Sequence, residues 1–181
     1  FEIAYHGEDV SKYTVMIGVN GTINNELARG TIQVKKADSN DVEKILSGID
    51  FNISVKDDMS EIIQTVKTDD NGIATFDDLE LGVYYIQEAK QVDGYVLNDH
   101  IYKVIVTKDR DILEVTCVNK PTEMVFSKQD FTTGKELEGA HMSVTEKETG
   151  KVIDEWVSTK EPHQIKYLVE GKEYILTEKI A

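Results

Sequence analysis

Three polar residues stand at the ends of otherwise apolar, strand-like segments, and their types suit one particular reaction. Side chains alternate between the two faces of a strand, so an inward face can be followed at every second residue. Lys36, Glu88 and Asn119 each end such a face. The residues that precede them on these faces are Ile32, Val34, Tyr84, Ile86, Val115 and Cys117. Because an isolated buried lysine, glutamate or asparagine is costly, we expect the three to contact one another.

This trio predicts a self-catalysed cross-link. Burial favours the neutral forms of an amine and of a carboxylic acid. The neutral Lys36 amine can attack the side-chain carbonyl of Asn119 while the acid of Glu88 polarises that carbonyl and shuttles protons as ammonia leaves. The product is a Lys–Asn isopeptide bond. In the alternative interpretation Lys36 extends toward solvent and Asn119 caps a turn. The adjacent Lys35 is predicted to face outward.

Short segments rich in Val, Ile, Thr, Tyr and Phe recur along the chain and predict an all-β fold of tandem, immunoglobulin-like β-sandwiches. Turn signals separate the segments at Asn20-Gly21, Asp69-Asp70-Asn71-Gly72, Asp93-Gly94, Thr133-Gly134 and Thr149-Gly150. The best helix candidate runs from Ser39 to Leu46. It is short and could equally be a long loop.

The pattern repeats at about the length of one small sandwich domain. Three features recur 90 to 94 positions apart: Lys36 with Lys128, Glu88 with Glu178, and Asn25 with Asn119. This period divides the chain into three parts. Residues 1–29 are predicted to be the closing strands of a preceding domain, residues 30–120 a complete domain, and residues 122–181 a domain that lacks its last strands.

Charge and composition exclude several classes of function. The chain has 34 acidic and 20 basic residues and a formal net charge of -14, so it would repel nucleic acid. No stretch reaches the roughly 20 apolar residues of a membrane span, so we expect no membrane insertion. Cys117 is the single cysteine, which excludes an internal disulfide. The four histidines show no metal-ligand spacing, and neither a metal nor a cofactor is predicted.

Four short motifs surround the trio: Lys36-Ala37-Asp38, which contains Lys36, Leu46-Ser47-Gly48, Gly82-Val83-Tyr84, which Glu88 follows, and Gly94-Tyr95. With them the chain resembles tandem Cna B-type domains, the SpaA-like or prealbumin-like modules of Gram-positive surface adhesins and pilus subunits. The resemblance covers nearly the whole chain. It implies prealbumin-like sandwiches in which Lys36 and Asn119 form a spontaneous isopeptide bond assisted by Glu88. The chain departs from the family pattern at Ile49, where alanine is common, and lacks the usual proline before Gly-Tyr.

The last segment, residues 122–181, most resembles the domains of this type in fibronectin-binding adhesins. Lys128 and Glu178 occupy the reacting positions, with Glu178 as the acid. The acceptor is missing, so this segment as written closes no bond of its own. Residues 1–25 of one chain could complement the last segment of another by strand addition and let Lys128 react with Asn25. A shortened chain is the simpler explanation.

These features indicate a structural module rather than an enzyme. We expect a stalk segment of a cell-wall-anchored adhesin or pilus, outside the bacterial cell, with neighbouring domains or subunits as partners. The isopeptide bond would serve as a disulfide does, without an oxidising environment. The alternative is a ligand-binding adhesin module that recognises a host extracellular-matrix protein. A third interpretation, a prealbumin-like hydrolase or small-molecule carrier, lacks a catalytic His or Ser constellation.

Overall fold

Strands make up the regular structure in the described part of the chain. The computed structural model describes residues 13–17 and 23–180, with side chains from residue 26 to residue 179. In chain order the strands are β1 (Tyr13–Ile17), β2 (Ile23–Leu27), β3 (Arg29–Asp38), β4 (Asp50–Ser54), β5 (Ile62–Lys67), β6 (Ile73–Glu80), β7 (Gly82–Glu88), β8 (Tyr102–Val106), β9 (Ile112–Asn119), β10 (Glu123–Phe126), β11 (His141–Glu146), β12 (Val152–Val157), β13 (His163–Lys166) and β14 (Tyr174–Ile180). The described residues contain no helix, which confirms the all-β prediction. No membrane-spanning helix is therefore found in this part of the chain.

The helix candidate from Ser39 to Leu46 is a loop, the second of the two alternatives. The Asp38 carboxylate accepts a hydrogen bond from the backbone N–H of Asn40 across 2.8 Å. The Asp41 carboxylate accepts one from the backbone N–H of Glu43 across 3.1 Å. Side-chain bonds of this kind hold turns and compete with the hydrogen bonds of a helix, so the segment between β3 and β4 stays irregular.

Contacts divide the chain into two units. Unit 1 contains residues up to 90 together with residues 98–119, and unit 2 contains residues 91–97 together with residues from 120 onward. Unit 1 has a three-stranded sheet in the order β6-β3-β9 and a four-stranded sheet in the order β5-β4-β7-β8. Strands β3 and β9 run parallel, whereas β6 is antiparallel to β3 and the second sheet is antiparallel throughout.

An apolar core lies between the two sheets of unit 1. Its buried residues come from both sheets and are Ile32, Val34, Phe51, Ile53, Ala74, Phe76, Leu79, Tyr84, Ile86, Val106 and Cys117. Most are β-branched, aromatic or small, the types that pack well on a pleated surface. This core fixes which face of each strand points inward, and it thereby orients the residues that end those faces.

A tight turn between β5 and β6, which belong to different sheets, supports β3 at Lys36. Gly72, the last residue of the predicted Asp69-Asp70-Asn71-Gly72 turn, has a φ of +71°. Its carbonyl accepts a hydrogen bond from the Lys36 backbone N–H across 2.8 Å. A Cβ at Gly72 would lie 2.9 Å from the Lys36 carbonyl oxygen, too close for any other residue without movement. Glycine is therefore needed for this approach.

Unit 2 also has two sheets, in the orders β12-β11-β14 and β10-β13. Its buried core is smaller and consists of Val144, Ile165 and Leu168, with Phe126, Ile153, Trp156 and Tyr174 packed against it. In the repeat, β14 corresponds to β7 and β10 to β3. In unit 1 those two strands are flanked by β8 and β9, whereas among the described residues of unit 2 the same edges carry no strand.

Strands β1 and β2 pair with each other in antiparallel register, from Tyr13 opposite Leu27 to Ile17 opposite Ile23. They form a two-stranded sheet of their own in the described part of the chain. The assignment of residues 1–29 to the closing strands of a preceding domain stays a prediction. Residues 1–12 and 18–22 lie outside the described residues.

Candidate functional site

Three strands of unit 1 carry the predicted trio on their inward faces. Lys36 lies near the end of β3, and Glu88 and Asn119 are the last residues of β7 and β9. Lys36 and Asn119 are fully buried, and Glu88 is 5% exposed. Every second side chain of these strands faces the opposite sheet, which sets the three orientations. Lys35 is exposed, as predicted.

The three side chains form a closed triangle of polar contacts. Lys36 Nζ lies 2.5 Å from Glu88 Oε2 and donates a short hydrogen bond to Asn119 Oδ1. Asn119 Nδ2 donates a hydrogen bond to Glu88 Oε1 across 3.0 Å. Apart from the lysine amine, Glu88 Oε2 has no hydrogen-bond donor among the described residues. Lys36 thus points inward rather than toward solvent, and amine, acid and amide meet inside unit 1.

The groups around the amine are apolar or weakly polar. The ring centroid of Phe51 lies 5.7 Å from Lys36 Nζ, and Cys117 Sγ lies 3.2 Å from it. Charges are poorly screened in such surroundings, and the cost of burying an ion pair is high. Transfer of one proton from the amine to Glu88 would leave both groups neutral. The arrangement can therefore present an uncharged nucleophile beside an amide whose oxygen that amine already contacts.

The loop that follows β3 bonds to the backbone of both predicted reaction partners. The backbone N–H of Leu46 donates to the Lys36 carbonyl across 3.0 Å. The backbone N–H of Ser39 donates to the Asn119 carbonyl across 2.9 Å. These bonds hold the adjoining ends of β3 and β9, and with them the separation between nucleophile and acceptor.

Comparison with known proteins agrees with this architecture. The family model described as SpaA, prealbumin-like fold domain, matches residues 30–121, just over half of the chain. The chain belongs to this family. No curated protein sequence matches this SpaA-type chain at a significant level.

Solved structures similar to the SpaA-type chain include "The Bacillus anthracis TIE protein", with a TM-score of 0.60, 26% identity, and coverage of 87% of this chain and 29% of that one. A second is the "Streptococcal ancillary pilin", with a TM-score of 0.45, 22% identity, and coverage of 85% and 54%. A third is BcpA, "the major pilin subunit of Bacillus cereus", with a TM-score of 0.49, 16% identity, and coverage of 78% and 59%. The chain spans less than a third of the first structure and about half of the second.

The site of this SpaA-type domain also contains groups that were not predicted from the sequence. Cys117, which the sequence indicates as a small core residue, contacts the amine of Lys36. Asn98 Nδ2 donates to Cys117 Sγ across 3.4 Å and to the Val118 carbonyl across 3.0 Å. Burial raises the pKa of Tyr102 to about 12, and its contact with Cys117 acts in the same direction. The one signal in the sequence is that Cys117 precedes Asn119 by two residues and shares its face.

Unit 2 brings the second predicted pair together. Lys128 Nζ lies 3.0 Å from Glu178 Oε2, and the two side chains are 33% and 30% exposed. Lys128 follows the end of β10 instead of lying within the strand. Residues 120–181 contain no asparagine, so this pair has no asparagine acceptor in its own segment. Asn25 lies opposite Val15 in β2, and its side chain lies outside the described residues.

The Asp69 carboxylate holds the turn between β5 and β6. Asp69 Oδ1 accepts backbone hydrogen bonds from Ile73 and Asn71, both at 2.9 Å. The bond from Ile73 is the main reason that the pKa of Asp69 lies below its ordinary value. In the described part of the chain, no group of three or more His, Cys, Asp or Glu side chains is arranged to hold a metal ion.

Proposed function

We propose that unit 1 is a stalk module of a Gram-positive surface adhesin or pilus, stiffened by a self-catalysed isopeptide bond between Lys36 and Asn119. One observation carries the proposal: a buried amine, acid and amide meet at 2.5 to 3.0 Å with the amine also bonded to the amide oxygen. Membership of the SpaA family and the resemblance to Cna B-type modules support an extracellular setting, at the bacterial cell wall or surface. The proposed module turns over once and is not an enzyme.

The contacts of the trio support a reaction that forms the Lys36–Asn119 isopeptide bond and releases one ammonia. Lys36 Nζ gives a proton to Glu88 and attacks Cγ of Asn119, so that a C–N bond forms and the amide oxygen gains negative charge. In the structure Glu88 Oε1 faces Nδ2, so the protonated Glu88 reaches the charged oxygen only as the amide carbon becomes tetrahedral and its substituents move. The acid then delivers a proton to Nδ2, the Cγ–Nδ2 bond breaks, and ammonia departs. Nζ then loses its second proton to the Glu88 carboxylate, which passes it to the departing ammonia. Ammonium is released and the carboxylate is regenerated as the link is completed.

The bond would change how unit 1 carries tension. Strands β3 and β9 are parallel neighbours, and Lys36 and Asn119 lie near their C-terminal ends. Tension that enters along β3 and leaves after β9 would pass through the new covalent bond. The intervening chain, closed into a loop between residues 83 positions apart, would bear none of it. This is the mechanical property that a stalk requires.

Single-molecule stretching of the whole chain tests the proposed function. The wild-type chain is expected to show no extension from the loop between Lys36 and Asn119. A Lys36→Ala variant is expected to release that loop, which adds roughly 280 Å of extended chain. The matched control is Lys35→Ala, whose exposed side chain should leave the wild-type behaviour intact. Wild-type chains that release the loop would oppose the stalk proposal and favour recognition of a host extracellular-matrix protein instead.

For unit 2 we propose that Lys128 and Glu178 react with an acceptor from outside residues 120–181. The pair is assembled at 3.0 Å, and the described edges of β10 and β14 carry no strand. A strand laid beside β10 would take the place that β9 takes beside β3. Asn25, on β2 of a second copy of the chain, is the acceptor that the repeat pattern favours.

A further inference from the structure

Cys117 places a third acceptor around the Lys36 amine. The parallel register sets Cys117 directly opposite Lys36, with Asn119 two residues further along the same face of β9. Cys117 is fully buried, and its Sγ lies 3.2 Å from Lys36 Nζ. The amine therefore contacts Glu88 Oε2, Asn119 Oδ1 and Cys117 Sγ, one neighbour for each of the three hydrogens of an ammonium group.

The direction of the nitrogen lone pair decides whether this amine can react. Once the ammonium has given a proton to Glu88, two N–H bonds and one lone pair remain, and the lone pair must point at Cγ of Asn119. The amine has three contacts, with Glu88, Asn119 and Cys117, so an N–H bond held by the sulfur keeps the lone pair from pointing at Cys117 and leaves it the directions of Asn119 and Glu88. Sulfur suits that position because it is a weak, uncharged acceptor and does not favour the ammonium form as a carboxylate would.

We propose that Cys117 positions the Lys36 amine for attack on Asn119, and that Asn98 holds the sulfur in place. This inference rests on the proposed isopeptide bond. The thiol is unchanged by the reaction, forms no bond to carbon or nitrogen, and serves only as a hydrogen-bond acceptor. Cys117 is thus a positioning residue, whereas Lys36, Glu88 and Asn119 carry out the bond making and breaking.

Two neighbours constrain the sulfur. Asn98 Nδ2 reaches both Cys117 Sγ and the Val118 carbonyl, so its amide is anchored to β9 as well as to the thiol. The Asn98 side-chain oxygen accepts a hydrogen bond from the backbone N–H of His100 across 3.1 Å, which fixes the amide from its other end. Tyr102 also contacts the thiol, and with a pKa raised to about 12 its hydroxyl stays protonated. The sulfur is therefore oriented before the amine reacts.

Two substitutions at Cys117 separate positioning from packing. Valine is apolar and of similar size, so Cys117→Val preserves the core but removes the acceptor. Serine retains an acceptor but places a hydroxyl in an apolar core, so Cys117→Ser costs stability. Positioning predicts that serine reacts faster than valine, whereas a packing role predicts the opposite order.

The test follows ammonia loss in newly made full-length chains. Cell-free synthesis is stopped at a set time, samples are denatured in acid at intervals, and the intact mass gives the fraction cross-linked. Cys117→Val should react at least about tenfold more slowly than wild type, and Cys117→Ser within about threefold of it. Asn98→Ala should also react more slowly, whereas the control Asn52→Ala, in the second sheet of unit 1, should match wild type. Urea unfolding of the same variants combined with Lys36→Ala ranks their stability without the cross-link.

A Cys117→Val chain that reacts at the wild-type rate would overturn the inference, as would rates that follow the order of stability. In either case the wild-type chain still loses ammonia, so the proposed bond itself would stand. A wild-type chain that never loses ammonia would overturn both the bond and the positioning role. Slow valine and near-normal serine variants, with serine the less stable of the two, would support the assignment.

Discussion

Lys36 and Asn119 lie on adjacent parallel strands but are not directly opposite one another. The register pairs Lys36 with Cys117 and pairs Asn119 with Asp38, so the lysine side chain reaches diagonally along the inner face to the amide. A long unbranched side chain is suited to that reach, and Asn119, at the end of β9, receives it. Because of this offset, the backbone partner of Lys36 on β9 is Cys117 rather than Asn119.

Glu88 should be required for the reaction. Glu88→Gln retains the shape of the side chain but cannot accept and deliver protons, so cross-linking is expected to slow by a factor of about 10² to 10⁴. The fraction of chains lacking one ammonia, followed by intact mass after cell-free synthesis, measures this rate. The matched control is Glu80→Gln, at an exposed glutamate that pairs with Arg29. Equal rates for Glu88→Gln and wild type would remove Glu88 from the mechanism.

Loss of the cross-link should lower the stability of unit 1. The bond joins residues 83 positions apart, and closing a loop of that length restricts the unfolded chain. By analogy with a disulfide, Asn119→Ala should reduce the free energy of unfolding by about 4 kcal/mol or more. Urea unfolding followed by far-ultraviolet circular dichroism measures the change, with the exposed Asn40→Ala as control. A reduction below about 1 kcal/mol in Asn119→Ala would contradict the presence of a covalent link in the wild type.

Much of the fold and of the trio could be predicted because both depend on the alternation of side chains along strands. Burial of Lys36, Glu88 and Asn119 follows from the apolar residues two and four positions before them. The contact of Cys117 with the amine could not be predicted, because it depends on the parallel register of β3 and β9. The same reason applies to Asn98, which reaches the site from a loop.

The segment from Ser39 to Leu46 shows a second limit of the sequence pattern. A possible cap and a few apolar residues suit a short helix, but they suit a loop equally well. Hydrogen bonds from Ser39 to the Asn119 carbonyl and from Leu46 to the Lys36 carbonyl join this segment to β9, which is distant in sequence, and back to β3. Such contacts, rather than local propensity, select the loop.

Unit 2 should lose stability in acid through Glu146. Lys172 Nζ lies 2.5 Å from Glu146 Oε1, and this contact, followed by a hydrogen bond from Thr149, holds the pKa of Glu146 below its ordinary value of 4.5. A carboxylate with a lowered folded-state pKa stabilises the fold fully above the ordinary pKa. That contribution is lost as the pH falls through the lower, folded-state value.

Wild type should therefore have a higher free energy of unfolding than Glu146→Gln, by an amount that is constant near neutral pH and shrinks in acid. Urea unfolding from about pH 7 to about pH 3 measures it. Trp156 is the only tryptophan and lies in unit 2, so its fluorescence reports this unit alone. The exposed neighbour Glu148→Gln is the control. A difference that persists unchanged to the lowest pH would show that the Glu146 carboxylate does not stabilise unit 2.

The pair in unit 2 should react only between chains. A Lys36→Ala chain is expected to keep its full sequence mass as a monomer, because residues 120–181 supply no asparagine to Lys128. At high protein concentration a fraction should form covalent dimers resistant to denaturing gel electrophoresis. Those dimers should disappear in Lys128→Ala and in Asn25→Ala, but persist in Asn24→Ala. Dimers that survive both of the first two substitutions would exclude Asn25 as the acceptor and Lys128 as the nucleophile.

The central claim is that Lys36 and Asn119 are joined covalently with loss of ammonia. The most direct test is the intact mass of the denatured, reduced chain beside that of the Lys36→Ala variant. We expect the wild-type mass to fall short of the sequence mass by one ammonia, and the variant to show no deficit. A wild-type mass equal to that of the sequence would contradict the cross-link and leave Lys36, Glu88 and Asn119 as a hydrogen-bonded group in the core.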